Sequence, residues 1–471
     1  MKPSEYFGEG AWRLPRRLDP LSTLMWRVEV DPMLRSGLVL VMLLDRVPDP
    51  RRFRAGHEWA ARMIPRLRDR PVAPLLTPAT PIWTPDPEFD AGRHLRRVAL
   101  PGPAGRRELL ELAESLAATP FATDRPPWES VLVEELDWEP AGYRAAWLVR
   151  FHHCLADGNL VAFWLGTLLG RTREPRKDKP QPPAPPRLLA TVPEQLVGPI
   201  ADEAAPAARQ FARAAFAAAR RPMSTTLETA AATRKLLQVT TRPAGKPSPL
   251  LRARGTTRRL ASVTIDLDKL RAVARADAVS VNAAYTAALL SGLRRYHEAH
   301  HVRVPSVSAA ITIPRALTGP RAGNRFNGGK FAGPLDEEDP RALCRTVEDR
   351  LAQAAPPFAP AALDAVLSCV TKLPTPALLQ LARSLGRSHD VQISHVVAPA
   401  RDTFVSGARI EEILAFGPAP GCAVMALLLS RRNRGTLALT LDAAAIPDTD
   451  TFVGCVEDGF TDVIGELSPG G

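Results

Sequence analysis

The sequence predicts an α+β protein built as two halves. Three observations carry this prediction. Strand-like and helix-like segments mix without the strict alternation of a parallel βα array. Residues 171–246 break the apolar patterning with proline, alanine and arginine. At 471 residues the chain is long enough for two or three domains and a sizeable core. The division read from the sequence is therefore a first domain over 1–170, a connecting segment over 171–246 and a second domain over 247–471. No repeat of 20–50 residues is visible.

Residues 1–20 are polar, punctuated by proline, and read as a loose arm. Residues 38–44 form an uninterrupted apolar run, as do 423–429. Both are far short of the roughly 20 residues that a membrane-spanning helix needs, so they are expected to be buried strands. Between 51 and 70, Phe53, His57, Ala60, Ile64 and Leu67 recur at helical spacing with arginines opposite, and Pro65 demands a kink or an early end. Residues 76–98 set Trp83 and Phe89 among prolines, 106–117 form a second amphipathic helix, and 130–136 read as a strand. From 143 to 151, Ala145, Trp147, Val149 and Phe151 alternate with residues facing the other way, Arg150 among them, which is the pattern of a strand. Residues 159–170 are apolar on nearly every side and end at a glycine, as a buried helix would.

The next stretch, 172–187, is charged and rich in proline and reads as a linker, and 201–234 reads as basic connecting helices. In the second half, 258–267 alternate like a strand, 268–275 and 281–296 are helical, 306–313 and 437–441 are strands, and 451–467 form a closing helix.

Composition narrows the function classes. Apolar content of 45% and charged content of 24% are ordinary for a soluble globular protein. The net charge of +11 comes mainly from scattered arginine and favours anionic partners: phospholipid headgroups, nucleic acid or the phosphates of CoA. No interleaved aromatic and basic motif of the RNA-reading kind is present, so nucleic acid is not expected. Five widely spaced cysteines without a Cys-x-x-Cys pair argue against a disulfide framework or a zinc site and suit a reducing cytoplasm. The N-terminus lacks an apolar signal region, so the expected location is cytoplasmic. Any contact with the inner membrane or with lipid inclusions is expected to be peripheral, with the basic helices near 51–70 and 201–234 as candidates.

The chemistry concentrates between the strand at 143–151 and the helix at 159–170. There His152, His153, Asp157 and Gly158 fall on one short connection held between two core elements. A histidine near its ordinary pKa of about 6.5 is a competent base at neutral pH, given a fixed ring and a hydroxyl within hydrogen-bond reach. Asp157 can orient the ring or lock the loop on an arginine, and Gly158 lets the backbone turn sharply. The alternative is that both histidines are satisfied core residues. Metal binding is not expected, because adjacent histidines on a strand project in opposite directions and no third ligand lies nearby. Cys154 reads as a structural thiol rather than a nucleophile. The glycines at 323, 328 and 329 before Lys330 approximate a phosphate loop. An extra glycine and Phe331, which stands where a hydroxyl residue belongs, exclude it.

These residues match the HHxxxDG signature of CoA-dependent acyltransferases, and the surrounding sequence resembles the bacterial wax ester synthase/diacylglycerol acyltransferase family. Asp124-Arg125-Pro126-Pro127-Trp128-Glu129 resembles its R-P-L-W-E segment. Ser280-Val281-Asn282-Ala283 with Ser291-Gly292-Leu293-Arg294-Arg295-Tyr296 resembles its T-V-N-D…G-A-L-R-R-Y stretch. Gly323-Asn324-Arg325-Phe326 resembles a G-N-R block, and Ser394-His395-Val396-Val397-Ala398-Pro399 stands where the family has S-N-V-P-G-P. The similarity is collinear from about residue 21 to 467. Ala283 replaces the family's aspartate, and His395, Val397 and Ala398 alter the last motif.

The resemblance implies two chloramphenicol-acetyltransferase-like domains with the active site in a tunnel at their interface. It implies acyl transfer from acyl-CoA, a co-substrate rather than a bound cofactor, to a long-chain alcohol or diacylglycerol. His153 would be the general base, Asn282 the oxyanion donor, His152 and Gly158 the supports of the loop, and Asp157 a structural carboxylate paired with Arg315 or Arg325. Trp128, Ser394, Arg315 and Arg325 are the substrate-side candidates. For Asn282 the competing reading is a helix N-cap, since a helical run follows it. Two other functions remain open: acylation of a specialised-metabolite hydroxyl or amine, and a catalytically degenerate lipid-surface protein.

Overall fold

A computed structural model describes residues 16–73, 80–138, 142–156, 160–161, 164–166, 169–175, 243–314, 326–354 and 360–465. Of the connecting segment read over 171–246, residues 176–242 lie outside these residues, as do Asp157, Gly158, Arg315 and Arg325.

In the first half the elements are α1 (Pro20–Val28), β1 (Gly37–Leu44), α2 (Pro50–Met63), β2 (Asp69–Val72), β3 (Ile82–Pro85), β4 (Leu95–Val98), α3 (Arg106–Ala118), β5 (Trp128–Val133) and β6 (Ala145–His152). Helix α2 begins on Asp49, whose carboxylate accepts the Arg52 N–H at 2.8 Å, and it stops before Pro65, as the sequence requires. The second half contributes β7 (Arg258–Asp266), α4 (Leu267–Ala276), α5 (Val281–Ala299), β8 (Ser306–Pro314), β9 (Phe326–Pro334) and α6 (Pro340–Gln353). It continues through α7 (Pro360–Val370), α8 (Thr375–Gly386), β10 (Val391–Val397), β11 (Phe404–Val405), β12 (Ala408–Phe416), β13 (Val424–Arg431), β14 (Arg434–Asp442) and α9 (Thr449–Ile464).

These strands form two six-stranded sheets, ordered β11-β12-β1-β6-β5-β4 and β7-β14-β13-β10-β8-β9. The second sheet is mixed: β10 runs parallel to both β8 and β13, while β14 pairs antiparallel with β13 and β7. Its helix-covered face is a continuous apolar core in which α5 lies against α9. The contact there is backbone to backbone. A Cβ at Gly292 would meet Val456 Cα at 2.6 Å, and one at Gly459 would meet Gly292 N at 2.2 Å.

The first sheet corrects the sequence division. Strand β12 comes from the second half yet pairs antiparallel with β1, Val39 opposite Phe416 and Leu44 opposite Ile410. Residues 404–416 therefore belong to the first sheet and not to a separate second domain. An apolar strand carries no mark of which sheet it will join, so local pattern could not reveal this exchange. The exchange also draws the other face of the second sheet towards the first: Met425, Leu427 and Leu429 of β13 share one apolar cluster with Leu38, Leu40 and Phe151.

Candidate active site

Strand β6 delivers the histidine loop. Ala145, Trp147 and Phe151 point into the cluster shared with β13, and Ala146 and Leu148 into the opposite core beneath α3. Arg150, on that second face, is buried and donates to Glu129 and to the Leu116 and Thr119 carbonyls, which fixes the strand to the end of α3. Where the strand ends, the backbone stays pinned. His152 N–H donates to Pro127 O (3.0 Å), His153 N–H to Ser36 O (2.9 Å) and Leu155 N–H to His152 O (2.9 Å). The Pro127-Trp128 segment thus lies directly beside the histidines.

His152 is wholly buried, with the edges of Trp26 and Phe121 at centroid distances of 5.1 and 5.8 Å. Its Nδ1 accepts the Cys154 N–H at 3.0 Å, so the neutral ring carries its proton on Nε2. That nitrogen faces Glu29 Oε2 at 3.2 Å, off the axis of a well-aligned hydrogen bond, and the contact is chiefly electrostatic. The same carboxylate oxygen accepts the Ser36 N–H at 3.0 Å. Glu29, buried at the end of α1, therefore holds both the ring of His152 and the segment whose carbonyl anchors His153. Sequence reading missed it, because a single acid after an apolar helix carries no signal of its own. Burial pushes the Cys154 thiol up, which keeps it protonated and unreactive.

The Asn282 alternative is decided locally. Ser280 is the N-cap of α5, its hydroxyl accepting the Ala283 N–H at 3.2 Å, so Asn282 is not the cap. Instead Asn282 Oδ1 lies 2.7 Å from Nδ1 of His395, whose Nε2 lies 2.7 Å from Ser430 Oγ. Burial, reinforced by Arg271, lowers the His395 pKa and favours the neutral ring. Ala283, in the place of the family's aspartate, is completely buried in the second core. Ser394 alternates with His395 and lies on the opposite face of β10, beside Leu427 in register. Just past β10, Pro399 packs on Gly166, so this end of the second sheet abuts the helical residues that follow the histidine loop.

Two apolar cavities flank the loop. The larger, about 270 Å³, lies between α2, β5 and β6 and is lined by Phe53, Trp128, Trp147, Leu155 and Trp164 among others. The smaller, about 50 Å³, sits between the sheets, with Leu38 and Phe151 from one half and Val396, Leu427 and Leu429 from the other. Leu40, Phe151, Val161, Leu165 and Leu169 line both, so one wall is common to the two. Phe151 and Leu155 flank the half-buried His153 in the chain. They line these cavities, whereas the ring of His153 lines neither.

Trp128 is buried in the larger cavity's wall, its indole N–H donating to Leu67 O at 2.8 Å. A hydrogen-bonded trio lies in that wall, which Arg52 and Glu174 also line. His57 Nδ1–H donates to Phe53 O (2.9 Å), its Nε2 accepts the Ser130 hydroxyl (3.0 Å), and Ser130 Oγ accepts the Trp147 N–H (2.7 Å). Burial pushes the His57 pKa down to about 4, so this trio is neutral and internally satisfied.

Two sheets joined by a strand exchange, with a histidine loop at the end of β6 and a small apolar cavity between the sheets, form the fold of the condensation domains. The first condensation domain of the calcium-dependent antibiotic synthetase superposes with a TM-score of 0.58 at 15% identity, over 96% of this chain and 98% of that one. The wax ester synthase/diacylglycerol acyltransferase from Marinobacter aquaeolei VT8 gives 0.61 at 19% identity, over 95% and 98%.

The chain belongs to the wax ester synthase/diacylglycerol acyltransferase family. The family's catalytic domain matches residues 18–285 and its C-terminal domain residues 322–463. A Mycobacterium tuberculosis H37Rv protein named as a diacylglycerol O-acyltransferase, Rv2484c, is 35% identical over 463 residues, covering 96% of this chain and 92% of the relative. The protein is an acyltransferase.

Proposed function

We propose that the chain moves a fatty acyl group from acyl-CoA to the hydroxyl of a long-chain alcohol or a diacylglycerol, with His153 as the general base. The observation that carries this reading is a histidine on a rigid strand end, pinned through its backbone and flanked by cavity walls that are mainly apolar. His153 takes the acceptor's hydroxyl proton as the oxygen attacks the thioester carbonyl. The C–O bond forms, the C–S bond breaks, and the proton passes to the departing thiolate, giving ester and free CoA. Direct attack needs no acyl-enzyme. Negative charge on the carbonyl oxygen at the tetrahedral stage calls for an aimed amide donor. Asn282, in the first turn of α5 with its carbonyl oxygen already turned to His395, is the residue assigned that task.

The acceptor dissolves in lipid, and a net charge of +11 suits a peripheral visit to an anionic surface. No helix among the described residues is long and apolar enough to cross a membrane.

The test is release of free CoA thiol, with hexadecanol, a diacylglycerol and small hydroxyl or amine acceptors offered separately. His153→Ala is expected to keep the wild-type melting temperature and lose about 100- to 10,000-fold in turnover. Wild-type turnover in that variant removes His153 from the mechanism. Preference for a small acceptor moves the chain to specialised-metabolite acylation, and no release with any acceptor leaves a lipid-binding role.

A further inference from the structure

In the hydrogen-bonded line Ser430–His395–Asn282, Ser430 and His395 have no part in the reaction as written, and the geometry of the line is directional. The neutral imidazole has one N–H. With Asn282 Oδ1 at 2.7 Å from Nδ1, that proton is on Nδ1 and is donated to the carboxamide oxygen. Nε2 then bears a lone pair, and Ser430 Oγ at 2.7 Å supplies the proton it accepts. Both ends of the ring are engaged, so neither the tautomer nor the ring plane is free. The carboxamide is planar, so holding its oxygen fixes where both Nδ2 hydrogens point. Among the described residues Nδ2 has no hydrogen-bond partner of its own. The strand supplies the rigidity: Ser430 and His395 sit on neighbouring parallel strands, β13 and β10, on the face that α5 covers.

We propose that His395 is a positioning residue for acyl transfer. It sets the Asn282 carboxamide so that the amide N–H is the group offered to the reacting carbonyl, and Ser430 fixes the imidazole tautomer that makes this possible. The inference rests on the assignment of Asn282 to the oxyanion. Asn282 is the group that touches the reacting atoms, and His395 acts only through it.

The consequence is a defect in kcat and not in binding. A misdirected donor still lets acyl-CoA bind, but it meets the tetrahedral oxygen badly. His395→Phe, which fills the space without an N–H, is expected to lower kcat about 10- to 100-fold, with KM for acyl-CoA within about two-fold of wild type. His395→Asn, whose short amide can donate from near the Nδ1 position, is expected to recover most of that loss. Ser430→Ala, which frees the tautomer, is expected to fall between the wild type and His395→Phe.

The deciding measurement is a double-mutant cycle on CoA release with an alcohol acceptor, with thermal unfolding of every variant alongside. If His395 acts through Asn282, then His395→Phe costs nothing further once Asn282 is alanine. Multiplying losses in the double variant overturn the positioning role, and so does wild-type kcat in His395→Phe beside an impaired Asn282→Ala. Wild-type kcat in Asn282→Ala instead removes the oxyanion assignment itself. Should His395→Phe fail to fold, Ser430→Ala takes its place in the same cycle and is judged by the same two results.

Discussion

Glu29 is the most informative residue to perturb, because it lies outside every motif and touches no cavity wall used above. Its carboxylate makes two contacts that the histidine loop depends on: the Ser36 amide at 3.0 Å and Nε2 of His152 at 3.2 Å. Glu29→Ala removes the acceptor of the buried Ser36 amide and the charge that faces the buried His152 Nε2. Leaving the Ser36 donor unsatisfied costs about 1–3 kcal/mol, and the lost electrostatic contact with His152 adds to it. That is a large share of a typical folding free energy of about 5–15 kcal/mol. Relaxation of the segment 34–36 would lower the figure and would do so by moving Ser36, whose carbonyl holds the His153 amide. Stability or turnover must therefore suffer, and a variant that keeps its melting temperature should lose activity. Glu29→Gln, which keeps an oxygen acceptor, should be milder on both counts. The assays are thermal unfolding and CoA-thiol release on the same preparations. Glu29→Ala with wild-type melting and wild-type turnover would refute the view that this carboxylate holds the loop.

Three further outcomes follow from other parts of the molecule. Gly56 lines the larger cavity, and a Cβ there meets nothing within 4 Å. Gly56→Leu should leave stability unchanged or raise it by up to about 1 kcal/mol through helix propensity, while shifting kcat/KM from hexadecanoyl- towards decanoyl-CoA. An unchanged chain-length profile would detach this cavity from the acyl or alkyl chain. Gly292→Ala should force α5 and α9 apart and lower stability by about 1–3 kcal/mol or more, measured by denaturant unfolding, and an unshifted midpoint would contradict the backbone contact. Acid should weaken the fold. Unfolded histidine titrates near 6.5, whereas burial holds His57 and His389 down to about 4, so between these values the unfolded chain binds more protons. Stability is then complete above about pH 6.5 and falls towards pH 4, by at most about 3 kcal/mol for each ring. His57→Gln should flatten that slope, and an identical slope in the variant would exclude His57 as its source.

Much of this was legible in the sequence because its physics is local. Alternation over 145–151 places the faces of β6, Pro65 ends α2, and the apolar run over 38–44 is β1. What escaped is non-local. Strand β9, with Gly328, Gly329 and Gly333, has no apolar alternation, yet it is an edge strand held by β8. Glu29 and Ser430 gain their roles only when chain segments far apart in sequence meet. His395 could be read only as a departure from a motif. Its meaning lies in the bond to Asn282, 113 positions away. His153, Trp128 and Asn282 stood out because each lies in a run of matching neighbours.

The strand exchanged between the halves bears on how this protein can be cut, made and assembled. A fragment ending in the proline-rich connector would expose one whole margin of β1, the run Gly37–Leu44, whose amides and carbonyls are otherwise capped by a strand translated hundreds of residues later. Such a bare apolar margin invites sticking to other chains. The first half made alone should precipitate, and adding the second half in trans should rescue it. A nascent chain would need shelter for that margin until synthesis is nearly finished.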